Sequence, residues 1–163
     1  MKKFLICILI AAAFIWSCKT SPSKPIIEGE VTQEKVNDAL TQIYNTYRTK
    51  LDMSGAQDYT VVRGDTLSQI TRNFYGSITG VGEAGPNNGF YFPVIMLASD
   101  SNIVDPDLIE PGMKMKIVDL KKNLDNPVSR KAIKDCLIDV AYVYNRKGNS
   151  ATENGLIKLA DSL

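Results

Sequence analysis

Histidine is absent from all 163 residues. That removes Ser/His/Asp and Cys/His nucleophilic arrangements and the imidazole ligands common in zinc sites. Cysteine is scarce, with three in the chain, and their places matter more than their number. Cys7 and Cys18 fall in an apolar N-terminal stretch with Trp16, the only tryptophan; only Cys136 lies in the body of the chain. A lone cysteine there forms no internal disulfide and has no imidazole to activate it. Its place on an apolar stripe predicts a buried, inert thiol. A large charge excess is missing too, since 19 basic residues stand against 18 acidic ones. Near neutrality gives no reason to expect nucleic acid as a partner. Nor is there a run of about 20 apolar residues, the length that a membrane-spanning helix needs.

The chain begins with Lys2 and Lys3, followed by an almost continuously apolar stretch from Phe4 to Ile15. A basic start and an apolar run of about a dozen residues predict an export signal over residues 1–17. Its end, Ile15-Trp16-Ser17-Cys18, resembles a bacterial lipobox, with an aliphatic residue three places before the cysteine and a small one just before it. Trp16 departs from that pattern, where a smaller residue is usual. The resemblance implies a lipoprotein with Cys18 lipidated by acyl chains such as palmitate, at about 0.8 kcal/mol of anchoring per buried methylene. The alternative is a plain secretory peptide with an incidental Cys18. Lys19, in place of the aspartate associated with inner-membrane retention, favours the periplasmic leaflet of the outer membrane.

Residues 18–30, with "KTSPSKP", read as a tether. In 31–51, Val36, Leu40, Ile43, Tyr47 and Leu51 recur every three or four residues, predicting a helix that starts near Thr32. "DMSGAQD" ends it. Residues 58–119 read as strand, helix, glycine-rich loop, helix, loop and strand. The first strand is Tyr59-Thr60-Val61-Val62, and Leu67, Ile70 and Phe74 share one face of the helix after it. Asp65 or Thr66 is its expected cap. The loop over 76–89 carries five glycines and a proline, and Pro93 opens the next helix. Met113, Met115 and Ile117 share a face of the last strand. Residues 127–163 predict two more amphipathic helices, one carrying Ile133, Cys136, Leu137, Val140, Ala141 and Tyr144, the other starting near Leu156 after "RKGNSATEN". No internal repeat is visible. The expected class is α+β, a βααβ unit with a two-stranded antiparallel sheet and amphipathic helices on either side.

The central segment resembles a LysM domain. Tyr59, Val61, Gly64, Asp65, Thr66, Leu67 and Ile70 fit that family's opening signature, and Tyr75-Gly76 closes the first helix. Phe92-Pro93, Ile95, Ala98, Ile103, Asp105-Pro106-Asp107, Ile109 and Pro111-Gly112 follow its second half in order. The inter-helix loop is longer than usual, Phe92 stands where tryptophan is common, and Ser99 where asparagine is common.

The resemblance implies binding of N-acetylglucosamine glycans, chiefly peptidoglycan. Two loops, Gly64 to Leu67 and Ile103 to Ile109, should lie side by side at one end of the sheet. The residues expected to meet sugar are Gly64, Asp65, Thr66, Leu67, Ile103, Asp105, Asp107, Leu108 and Ile109. Gly64 allows close backbone approach. Asp65 and Thr66 offer polar groups, and Leu67, Leu108 and Ile109 offer apolar contact to an acetyl methyl or ring face. No catalytic, metal or cofactor site is expected, because wall cleavage needs an acid in a deep cleft and so small a domain has none. The expected function is a membrane-to-wall tether or positioning module in the cell envelope. The alternative is a periplasmic protein-interaction scaffold, or an activator of wall hydrolases, with the flanking helices binding a protein partner.

Overall fold

A computed structural model describes residues 27–76, 88–99 and 103–163. The expected export signal, Cys18 and most of the expected tether lie outside the described residues, as does most of the glycine-rich loop. The layout is α+β. Helix α1 (Gln33–Tyr47) leads into a short 3-10 turn at Arg48–Lys50. Strand β1 (Gln57–Thr60), α2 (Leu67–Tyr75), α3 (Phe92–Ala98) and β2 (Lys114–Ile117) follow. Then come α4 (Leu120–Asp125), α5 (Pro127–Arg146) and α6 (Ser150–Asp161).

The strands pair antiparallel, with Gln57 opposite Ile117 and Thr60 opposite Lys114. Alternation then decides what is buried. Met115 and Ile117 enter the core while Lys114 stays in water. Val61 extends the pairing past β1, donating its N–H to Met113 O and accepting from Gly112 N–H.

Local chemistry sets the helix boundaries. Thr32 caps α1 by accepting from Lys35 N–H, and Asn126 caps α5 from the residue before Pro127. Two boundaries differ from the sequence expectation, the first being that of β1, which spans Gln57–Thr60 where Tyr59 to Val62 was expected. Asn149 accepts from Thr152 N–H, so α6 starts at Ser150 instead of near Leu156. Gly148, at φ +77°, ends α5 directly before it, leaving only three residues between the two helices. Helix α4 was not anticipated. Its Asn123 is fully buried, accepts from Asp52 N–H and donates to Asp52 O and Asp119 O. One side chain thus pins the segment before β1 to the segment after β2, satisfying backbone groups that would otherwise be stranded.

Helix α3 forms the centre. Every residue of Phe92–Ala98 is buried, and α1, α2, α5 and β2 surround it. Helix α5 packs on α1, α4 and α6 as well. Polar ties cross the same seams: Tyr47 donates to Asp139 at 2.7 Å, Ser129 to Lys50 O at 2.7 Å, and Arg48 to Leu97 O at 3.3 Å. Cys136 is buried, as its stripe position implied, and burial pushes its thiol pKa up, with the nearby Asp139 and Asp135 charges adding to the effect. Ser99 is buried too. Its hydroxyl donates to Ile95 O and accepts from Lys116 N–H, joining the end of α3 to β2.

Gly155 lies where α6 meets Phe90. A Cβ there would come within 2.1 to 2.5 Å of the Phe90 ring. In an open helix Gly→Ala stabilises by about 1 kcal/mol; overpacking costs about 1–3 kcal/mol. Gly155→Ala should therefore lower the urea midpoint by the equivalent of up to about 2 kcal/mol. In a Phe90→Ala background the same change should be neutral or stabilising. A rise in stability from Gly155→Ala alone would show that this contact does not hold α6.

Candidate functional site

The first wall of the site is a turn followed by a helix start. Asp65 N–H donates to Val62 O at 3.1 Å, and Gly64 takes φ +95° in the third position of that turn. This is the left-handed geometry of a type II turn, which glycine adopts without strain. Asp65 does not cap α2. Its Oδ2 accepts from Val62 N–H at 2.9 Å and from the Tyr59 hydroxyl at 2.7 Å, folding the turn back on β1. That hydrogen bond to the carboxylate raises the Tyr59 phenol pKa. The Tyr59 ring packs edge-on against Phe74, 5.5 Å away. Thr66 is the cap, accepting from Gln69 N–H. Among the described residues nothing accepts from the N–H groups of Leu67 and Ser68, which open the helix. They are the free donors that the start of a helix leaves over.

The second wall is built on Asp105. Leu108 N–H donates to its carbonyl at 3.0 Å, and Asp107 N–H to its Oδ1 at 2.9 Å. The chain then turns again at Glu110-Pro111-Gly112-Met113, with Gly112 at φ +93° and Met113 N–H on Glu110 O. Since Gly112 also pairs with Val61, both turns stand at the same end of the sheet.

Helices outside this unit hold the second wall. Gln33 of α1 donates to Asp105 Oδ2 at 2.7 Å. Lys147, just past α5, reaches Asp105 at 3.2 Å and Asp107 Oδ2 at 2.6 Å. Tyr144 of α5 donates to Asp107 Oδ1 at 2.9 Å. Desolvation pushes the Tyr144 phenol pKa up and Asp107 adds to the rise. For Lys147, burial pulls the pKa down, but the bond to Asp107 and both aspartate charges outweigh it and leave it raised. The ammonium stays charged, a fit partner for two carboxylates.

Between the walls lies a groove of about 280 Å³. Asp65, Thr66, Leu67 and Ser68 line one side; Pro106, Asp107 and Ile109 line the other. Phe92, Tyr144 and Thr152 complete it. Its volume is at the lower edge of the roughly 300–1,000 Å³ usual for small-molecule sites. That is room for about one sugar-sized ring.

The expected glycan residues therefore divide. Asp65, Thr66, Leu67, Asp107 and Ile109 come together in the groove. Gly64 shapes the turn beside it, and Leu108, 55% exposed, stands on its loop without lining the groove. Ile103 and Asp105 do not line the groove. Ile103 is in the core, and Asp105 is 4% exposed with its carboxylate held by Gln33, Lys147 and the Asp107 N–H. Ser68, Tyr144 and Thr152 were not anticipated. Ser68 was legible, since it follows Leu67 in the first turn of a capped helix; Tyr144 and Thr152 had no local signal. Among the described residues no three His, Cys, Asp or Glu side chains gather as a metal site.

Residues 59–118 match the family model described as the LysM domain. The match takes in both walls of the groove, from Asp65 to Ile109, and leaves α1, α5 and α6 outside. No curated protein and no solved structure matches the chain. Residues 59–118 are therefore a LysM domain, a family whose members bind N-acetylglucosamine-containing glycans and are not themselves catalytic.

Proposed function

We propose that this is a peptidoglycan-binding lipoprotein of the bacterial cell envelope, tethering a membrane to the wall or positioning wall enzymes without being an enzyme itself. The observation that carries the glycan reading is the groove between the two turn-built walls. Leu67 and Ser68, whose N–H groups have no acceptor among the described residues, line it together with Pro106 and Ile109. An N-acetyl group needs that combination, with donors for its carbonyl and a small apolar surface for its methyl. Asp65 and Asp107 supply acceptors for hydroxyl and amide hydrogens.

The anchoring half of the proposal is supported by the sequence alone. A basic start, a short apolar run and Ser17-Cys18 describe a lipid-modified N-terminus, and Lys19 points to the outer membrane's periplasmic leaflet. Two or more acyl chains hold a protein stably where one does not. With one small groove, affinity for a single sugar segment is weak, and repeated sites along a polymer raise the time spent bound.

The protein should cosediment with purified insoluble peptidoglycan at physiological salt. Little of it should release on raising salt, because backbone donors and apolar contact dominate. Adding chitin oligosaccharides should shift amide resonances at residues 64–68 and 106–109. A protein left wholly in the supernatant would refute the glycan reading. Separately, Cys18→Ala expressed in a diderm bacterium should move the protein from the membrane fraction to the soluble one and abolish labelling by a palmitate analogue. Unchanged labelling would show that Cys18 is not the lipidated residue.

A further inference from the structure

We propose that the C-terminal helices form a third wall of the glycan site, with Thr152 of α6 touching the sugar and Tyr144 of α5 acting as a positioning residue for Asp107. This rests on the glycan-binding reading above and extends the site beyond the LysM domain itself.

Thr152 lies well outside residues 59–118, yet it lines the same groove as Thr66 and Asp107. Its backbone N–H is used by the Asn149 cap, but among the described residues its hydroxyl has no partner. A hydroxyl both donates and accepts, which matches the mixed groups around a sugar ring. The helix that carries it is firmly seated. Leu156, Leu159 and Ala160 are buried, and Gly155 closes on Phe90. Thr152 is therefore held at a set distance from the loops, as a binding group must be.

Tyr144 works differently. It is 2% exposed, so most of its ring is unavailable to a ligand. The ring meets Phe92 edge-on at 5.8 Å, with the Lys147 ammonium 5.0 Å from its centroid. Its hydroxyl and Lys147 each take one oxygen of Asp107. That fixes the carboxylate plane and leaves the remaining lone pairs to accept from a ligand N–H or O–H. Asp107 is about half exposed. Without these two partners its side chain would sample several rotamers, and ordering it would weigh against binding.

The test titrates the full-length protein and its variants with a chitin tetrasaccharide by calorimetry and amide NMR. Thr152→Val, which keeps shape and loses the hydroxyl, should weaken binding about 5- to 10-fold, while Thr152→Ser should stay within about twofold of wild type. Lys158→Ala, elsewhere on α6, should change nothing. Tyr144→Phe should weaken binding about 3- to 5-fold and Asp107→Asn somewhat more. The double variant should bind no worse than Asp107→Asn, because both losses run through one carboxylate. If wild type binds and Thr152→Val matches it, the third wall is overturned and the glycan reading stands. Additive losses from Tyr144→Phe and Asp107→Asn would overturn the positioning role. A wild-type protein that binds no tetrasaccharide and no peptidoglycan would overturn both readings together.

Discussion

Helix α3 has no face that tolerates water, and most of the architecture answers that constraint. Its seven residues, Phe92-Pro93-Val94-Ile95-Met96-Leu97-Ala98, are all buried. Fully burying a Val, Leu, Ile or Met side chain contributes about 1.5–3 kcal/mol, so the four at its centre are a large share of the stability of a small domain. A two-stranded sheet and one partner helix cannot surround a helix of this kind. Helices α1 and α5 cover what α2 and β2 leave open. The terminal helices are therefore part of the same core as the LysM domain.

That shared core has a consequence for the groove. Once α5 lies along α3, its last turn arrives at the loop after α3, and Tyr144 and Lys147 meet Asp105 and Asp107 there. Gln33 comes in from α1 on the other side. Asp105, 4% exposed, is stable as a buried carboxylate because it is paired and hydrogen-bonded, not bare. The same cover that buries α3 thus stiffens one wall of the binding site. The opposite wall needs no such help, since Gly64, Asp65 and Thr66 close it through local hydrogen bonds.

The two walls also differ in what local reasoning could read. Gly64-Asp65-Thr66 could be read in place, because a glycine turn and a threonine cap involve neighbours within a few residues. Even so, Asp65 and Thr66 were interchangeable as caps until the Tyr59 hydroxyl claimed Asp65. The loop from Ile103 to Ile109 was legible as a turn and as half of a family signature. Which of its side chains faced out was not, because the answer depends on Gln33 and Lys147, roughly seventy residues before and forty after it. Helix α4 lacks a local signal for a similar reason. It is six residues long, too short for a periodic pattern, and its purpose is the long-range grip of Asn123 on Asp52.

The sequence by itself determined the α+β class, the strand faces and the two glycine turns, which follow from alternation, period and short-range hydrogen bonding, and its motif residues carried the resemblance to the LysM family. The run "FPVIMLA" has no polar side chain, so as a helix it is apolar on every side. Only the tertiary structure decided what covers that helix, that Ile103 and Asp105 turn inward, and that Tyr144 and Thr152 reach the groove. Each of those depends on the angle at which α5 and α6 dock, and docking is set by the fit of buried side chains from distant segments. Local propensity carries no record of that fit.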